Sequence, residues 1–193
     1  MLQLDSNEPT KIAAALASGA VLAVPTETVW GFTAGLNSEK AIKKLIRIKD
    51  RDVYSGKIFT LVPDSPAHIA DFAVLSPEVA ALIKHHFPGP LTLILPKNPT
   101  FHHPYYDHFD TIGLRIPDTP LFRALLPATG PLLLTSANRR GQPAVSTAGQ
   151  ISDNFPDLDG IIRGKSGGEL PSTVLDFTGK SPVVLRQGGL KVI

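Results

Sequence analysis

Short apolar runs alternate along this chain with segments whose apolar residues recur at helical spacing. Val21 to Val24 has the β-branched and aliphatic make-up of a strand buried on both faces. Pro25 ends it, because proline has no N–H to give to a ladder. Ile58 to Val62, Leu91 to Leu95, Thr111 to Ile116, Leu132 to Thr135, Thr173 to Phe177 and Val183 to Arg186 read as further strands. Behind Ser38 and Glu39, the spacing of Ala41, Ile42, Leu45 and Ile46 predicts a helix to about Lys49, with Lys40, Lys43, Lys44 and Arg47 outward. Thr10 is placed to cap a helix over Lys11 to Ser18, with Gly19 as its stop. Ser76-Pro77-Glu78 opens a helix over Val79 to His86, and Asp118 or Thr119 opens one over Pro120 to Leu126. Strands and helices alternate without a repeat or a linker, which predicts one α/β domain, residues 1–193, with a mixed sheet flanked by helices.

Composition narrows the chemistry. With 42% hydrophobic and 19% charged residues the chain is ordinary for a folded protein, and its net charge of +2 matters only if the cations converge. The absence of cysteine removes disulfides, thiolate metal sites and a cysteine nucleophile. No apolar run approaches the roughly 18 residues of a membrane span. Met1-Leu-Gln-Leu-Asp5 is not a basic-then-apolar leader, so a cytoplasmic location and no membrane partner are expected.

Two motifs mislead. Gly164-Lys165-Ser166 has the ending of a phosphate-binding loop, but the first glycine of that pattern would fall on Asp159, and Pro171 opposes the helix that should follow. Gly164-Lys-Ser-Gly-Gly168 also spells a nucleophile elbow, yet the last histidine, His108, lies far upstream; a flexible glycine-rich loop is expected. His85, His86, His102, His103 and His108 raise a metal site. Adjacent histidines project apart, however, and no carboxylate stands at a ligand spacing, so the reading favoured for residues 102–108 is a solvated loop.

The stronger signal is a set of polar groups at the ends of predicted elements. Thr26, Glu27 and Thr28 interrupt an apolar stretch that resumes at Val29-Trp30-Gly31-Phe32, either as a surface turn or as the wall of a site. Lys49 and Arg51 end the second helix, where cations also complement the helix dipole. Thr111, Gly113 and Arg115 share one strand face by the two-residue period, and an arginine in so apolar a strand needs an anionic partner. Pro88 to Thr92, Leu132 to Asn138, Pro171 to Asp176 and Val184 to Gly188 add a stiff turn and three more polar strand ends. Together these predict a concave, cation-rich site lined by hydroxyls and amides, suited to anions and without a covalent nucleophile.

In their order, Pro25-Thr-Glu-Thr-Val-Trp-Gly31, Lys49-x-Arg51, Pro88-Gly-Pro-Leu-Thr92, Arg115-x-Pro117, Ser136-Ala-Asn138, Ser172-Thr-Val174 and Arg186-x-Gly188 resemble the YrdC-like threonylcarbamoyl-AMP synthase family, in its short, single-domain type. The resemblance runs from about Ile12 to Gly188 and implies a twisted, mostly parallel α/β sheet around a large positive cavity. It implies a nucleotidyltransferase that condenses L-threonine, bicarbonate and ATP to threonylcarbamoyl-AMP and pyrophosphate, for threonylcarbamoyladenosine (t6A) formation in tRNA. Carried over by position, Thr28, Arg115 and Ser172 would hold threonine, the arginine as a fork on the carboxylate. Lys49 and Arg51 would be catalytic, neutralising phosphates with Arg186. Ser55, Thr111, Ser136 and Asn138 would contact ATP, and Mg²⁺ would be bound through the phosphates. tRNA or double-stranded RNA and downstream t6A transferase proteins are the further partners implied, and a non-catalytic paralogue binding RNA or nucleotide in the same cavity is the alternative.

This chain departs from the family pattern at several places. Asp52 follows Arg51 where proline is common, Gly56-Lys57 replaces a second proline, and Arg140 stands where serine is usual. Arg139-Arg140 adds cations either for RNA or as a solvated turn. Glu27, among anionic substrates, reads as a structural partner of Lys49 or Arg51 and not as a catalytic base.

Overall fold

The computed structural model describes residues 1–50, 58–139 and 141–192. Arg51, Asp52, Ser55, Gly56, Lys57 and Arg140 therefore lie outside the described residues. The elements run β1 (Leu2–Leu4), α1 (Pro9–Ala17), β2 (Leu22–Val24), β3 (Gly31–Gly35), α2 (Glu39–Ile48) and β4 (Thr60–Val62). A 3₁₀ turn (Pro66–His68) leads into α3 (Ile69–Phe72), α4 (Pro77–His86), β5 (Leu91–Pro96), β6 (Thr111–Leu114) and α5 (Pro120–Thr129). The chain closes with β7 (Leu132–Ser136), α6 (Ala148–Asn154), β8 (Gly160–Ile162), β9 (Thr173–Asp176) and β10 (Val183–Arg186).

Local chemistry explains most boundaries. Ser38, Ser76 and Thr119 each accept the backbone N–H three residues on, capping α2, α4 and α5. Thr119, not Asp118, is thus the cap of α5. The first helix corrects the expectation at Thr10: it starts at Pro9 with Glu8 before it, because proline's missing N–H belongs to the unsatisfied first turn. Thr147 and Gln150 close a reciprocal capping box on α6, a helix the apolar spacing did not predict.

The strands form one sheet in the order β1-β8-β2-β3-β7-β4-β6-β5-β9-β10. It is mixed, as expected, but not mostly parallel as the family resemblance implies. Of the nine pairings among the described residues, β1–β8, β2–β8, β4–β6 and β5–β9 are parallel and the other five antiparallel. β3, which carries two glycines and was not predicted, joins β2 to β7 and is buried along four of its five residues. α1 packs on α5 and β3, and α2 packs on β3. Their apolar faces meet the sheet's inner side chains in a core that includes Trp30, Phe32, Phe59, Leu61, Leu93 and Phe122.

The other phase of the central strands is what positions the site. Thr60, Ile94, Thr111, Ser136, Val174 and Asp176 are only partly buried, while their neighbours along the same strands are buried. Successive residues point to opposite faces of a pleated sheet, so these positions share one face across five strands.

Candidate active site

That face forms the floor of a cavity of about 520 Å³, within the roughly 300–1,000 Å³ usual for small-molecule sites. Of the residues singled out in the sequence, Thr28, Thr111, Arg115, Ser136, Ser172 and Arg186 all line it. Lys49 and Asn138 are not lining residues. They work together: Lys49 is buried, and its Nζ donates to Ser136 O (2.7 Å), Asn138 O (2.5 Å) and Asn138 Oδ1 (2.5 Å). Ser136 Oγ donates to the same Asn138 Oδ1 at 2.7 Å. The amine at the end of α2 therefore fixes the turn that delivers Ser136.

Arg115 lies just beyond β6 and is 6% exposed. Its Nη2 donates to Glu27 Oε1 (2.8 Å) and Thr28 Oγ1 (2.9 Å), and its Nε to Gly89 O (3.3 Å). The anionic partner demanded by the sequence is thus Glu27. This corrects the expectation that Glu27 would pair with Lys49; Arg51, the other partner considered, lies outside the described residues. Glu27 Oε2 is buried without a hydrogen-bond partner among the described residues. Gly89 belongs to the stiff turn of Pro88 to Thr92, and a side chain there would meet His86 O at 2.5 Å. The turn's glycine lets its carbonyl reach the arginine.

Across the cavity, Thr92 Oγ1 and Ser172 Oγ are 2.8 Å apart. Arg186, on the edge strand β10, donates from Nε to Ser172 O and from Nη2 to Ser172 Oγ, both at 3.0 Å. Gly188 seats this pair: a Cβ there would lie 2.1 Å from Pro171 O and 2.6 Å from Thr173 N. Arg186 has its pKa lowered, first by desolvation and then by the charge of Arg115. The two guanidinium groups feel each other across the cavity, and an anion between them would relieve that repulsion.

Thr26 and Asp176, in two of the polar segments singled out, also line the cavity, as does Thr60, which sequence reasoning passed over. The signal for Thr60 was phase: it is a polar residue in an otherwise apolar strand, aligned through its pairing with Gly113 to the face of Thr111. The glycine-rich loop has a fixed role here. Gly167 N and Gly168 N donate to Thr26 O and Thr28 O, both at 2.8 Å, and a Cβ on Gly167 would lie 2.8 Å from Glu27 O. It clamps the Thr26–Thr28 segment from behind. The histidine- and tyrosine-rich loop is solvated at His102, Pro104, Asp107 and His108, as expected, but not at its tyrosines. Tyr105 and Tyr106 are buried; Tyr105 Oη accepts from Phe59 N (3.0 Å) and Tyr106 Oη donates to Phe59 O (2.9 Å). His103 anchors the loop, with Nε2 on Leu36 O (3.0 Å) and Nδ1 accepting from Tyr105 N (3.2 Å). Among the described residues no three His, Asp or Glu side chains gather to hold a metal, and no helix is long and apolar enough to cross a membrane.

Comparison with known proteins places the fold. The Sua5/YciO/YrdC family model, described as telomere recombination, matches residues 14–188. A Bacillus subtilis protein named threonylcarbamoyl-AMP synthase is 36% identical over 206 residues, a match covering 97% of this chain and 56% of that protein. A Vibrio campbellii protein of the same name is 35% identical over 178 residues, covering 90% of this chain and 95% of that one. The chain thus spans little more than half of the first relative and nearly all of the second. Among solved structures, P. abyssi Sua5 complexed with L-threonine aligns with a TM-score of 0.86 at 29% identity, covering 98% of this chain and 58% of the other. By its sequence and its fold, the chain belongs to the Sua5/YciO/YrdC family.

Proposed function

We propose that this chain is a threonylcarbamoyl-AMP synthase, a nucleotidyltransferase that joins L-threonine, bicarbonate and ATP and releases pyrophosphate. The observation that carries the reading is the placement of Arg115 and Arg186 on one hydroxyl-lined cavity, where their charges oppose each other until an anion enters. Relatives bearing that name, and the threonine complex of P. abyssi Sua5, support it.

The chemistry needs two anions brought together. The threonine amine takes up the bicarbonate carbon with loss of water, giving a carbamate. A carbamate oxygen then attacks the α-phosphorus, and the bond to the bridging oxygen breaks as pyrophosphate leaves. No protein nucleophile is required, so positioning and charge neutralisation supply the catalysis. Arg115 would meet the threonine carboxylate through Nη1, since Nη2 and Nε are already engaged; that narrows the fork expected from the sequence. Thr28 and Ser172 would lie beside the amino acid. Lys49, Arg51 and Arg186 would neutralise phosphates, with Ser55, Thr111, Ser136 and Asn138 on the nucleotide. Lys49 would exchange an acceptor on the Ser136–Asn138 turn for a phosphate oxygen, coupling nucleotide arrival to that turn.

Mg²⁺ would travel on the triphosphate, as is usual for this ion, with the lining carboxylate of Asp176 within the same cavity. Such a product is a labile mixed anhydride, so t6A transferase proteins acting on tRNA in the cytoplasm would have to consume it promptly. Arg139 is held by Asn154 O (2.9 Å) and lies over the Phe155 ring, which leaves RNA contact resting on the synthase reading. The test is pyrophosphate release from ATP by the purified chain. Dependence on both threonine and bicarbonate is expected; no release, with tight RNA binding that weakens steeply with salt, would overturn the reading in favour of a non-catalytic binder.

A further inference from the structure

The Thr26–Thr28 segment carries a hydrogen-bond chain with only one possible direction. Thr26 Oγ1 lies 2.7 Å from Val29 O, a carbonyl that can only accept, so the Thr26 hydroxyl donates there. Its two lone pairs then take Thr28 N–H at 3.2 Å and the Thr28 hydroxyl at 2.9 Å. In that last contact Thr28 must be the donor, because Thr26 has no second hydrogen. Thr28 Oγ1 in turn accepts from Arg115 Nη2 at 2.9 Å. What remains on Thr28, at the cavity wall, is one lone pair and no hydrogen. Thr26 and Thr28 are 3% and 5% exposed, so solvent does not compete to turn either hydroxyl.

We propose that Thr26 is a positioning residue that makes Thr28 an obligate acceptor, so that the site selects the β-hydroxyl of its amino-acid substrate. The inference rests on the synthase reading and goes beyond it by assigning which substrate group meets Thr28. A carboxylate is excluded there, since Thr28 has no hydrogen to give. An ammonium is disfavoured, since the Arg115 guanidinium touches the same oxygen. A neutral hydroxyl fits both conditions.

The experiment compares kcat/KM for L-threonine and for L-valine, which replaces the hydroxyl by a methyl group at equal volume. Wild-type protein is expected to prefer threonine by about a hundredfold or more, since a site built for a hydroxyl strands its own acceptor when the hydroxyl is missing. Thr26→Val, isosteric at a buried position, should lower threonine turnover about tenfold and leave valine turnover unmoved, whereas a loosened wall would lower both together. Thr26→Ser should keep the wild-type ratio. A second measurement needs no variant: O-methyl-L-threonine has the shape of L-isoleucine with an ether oxygen for a methylene. Facing an acceptor-only Thr28, the ether should compete against threonine no better than isoleucine does. An advantage for the ether of about fivefold or more would mean that Thr28 donates, and would overturn the proposal. So would an active wild type that does not discriminate valine, the result expected if Thr28 instead receives the carbamate N–H. An active enzyme whose ratio is unmoved in Thr26→Val overturns the role of Thr26. Wild-type protein that releases no pyrophosphate with threonine fails at the earlier step and overturns the synthase reading itself.

Discussion

The two arginines that face the cavity stand in opposite circumstances. Arg115 follows a central strand, is buried, and is held by Glu27, Thr28 and Gly89. Arg186 sits on the edge strand β10, whose four residues are all exposed; it is held by Ser172 alone, and among the described residues no carboxylate pairs with it. Arg115 is a preorganised recognition group, paired with a carboxylate although its charge still reaches Arg186. Arg186 brings uncompensated charge to the rim, where a polyphosphate would arrive. One wall is built for geometry and the other for charge, which suits the proposed reaction, where an amino acid and a nucleotide make different demands.

The sharpest way to break this contrast is at Gly188, because the edge wall depends on a backbone contact and not on its exposed side chains. A Cβ there would overlap the backbone of Pro171 to Thr173 and push Ser172 and Arg186 off the cavity. Gly188→Ala should cost about a hundredfold or more in kcat/KM for both substrates, the scale of an ångström-level misplacement. Turnover near wild type, with an unchanged melting temperature, would show that the wall tolerates displacement.

Next in size is the buried pair. Arg115→Met leaves the Glu27 carboxylate without its cation, and such a loss costs about 3–5 kcal/mol in a fully buried pair. Glu27 keeps 20% of its side chain exposed, so the lower end, about 3 kcal/mol, is expected by denaturant titration. Adding Glu27→Gln should recover most of that stability without restoring threonine use. The KM for threonine should rise more than that for ATP; equal rises would count against the role of Arg115.

Much of this was legible in the chain, and the exceptions share a cause. The capped amphipathic helix α2 and the apolar strands follow from local pattern, as does the common face of Thr111 and Arg115. β3 was not legible, because Gly31-Phe-Thr-Ala-Gly35 has little strand propensity of its own; β2 and β7 impose its conformation from either side. β8 is three residues long, too short for a period to register. The partner of Glu27 lies 88 residues away, and Gly188 matters only because Pro171 folds against it. Long-range juxtaposition leaves no spacing to read. The tyrosine loop misled because its polar tips, taken as marks of solvation, satisfy the backbone of Phe59 inside the core.

At the edge wall itself a smaller and more selective effect is expected. Arg186→Ala should raise the KM for ATP about tenfold, the value of a charge-assisted contact, and raise it less as salt increases. Because β10 is exposed on both faces, stability should shift by less than about 0.5 kcal/mol. A large loss of stability would mean that Arg186 is an architectural residue like Arg115, and the contrast between the walls would collapse.

The smallest effect separates the walls by pH. The brace behind Phe59 contains a group that titrates in the ordinary range. Burial lowers the pKa of His103, partly offset by its bond to Leu36 O and the charge of Asp107. With Nε2 donating to Leu36 O, Nδ1 must stay unprotonated to accept from Tyr105 N. The native state therefore holds neutral His103 where the unfolded chain has begun to protonate. Its contribution is present above the ordinary histidine pKa and is lost as pH falls from there through the lowered folded value. His68 works in the opposite sense, since Asp64 raises its pKa, but it is exposed, and the carboxylate of Asp107 stays ionised throughout this range. The melting temperature should therefore fall by about 2–4 °C between roughly pH 8 and pH 5.5. His103→Gln should start lower and show a flatter profile over the same interval. An equal slope in the variant would assign the pH dependence elsewhere and leave the brace as packing alone.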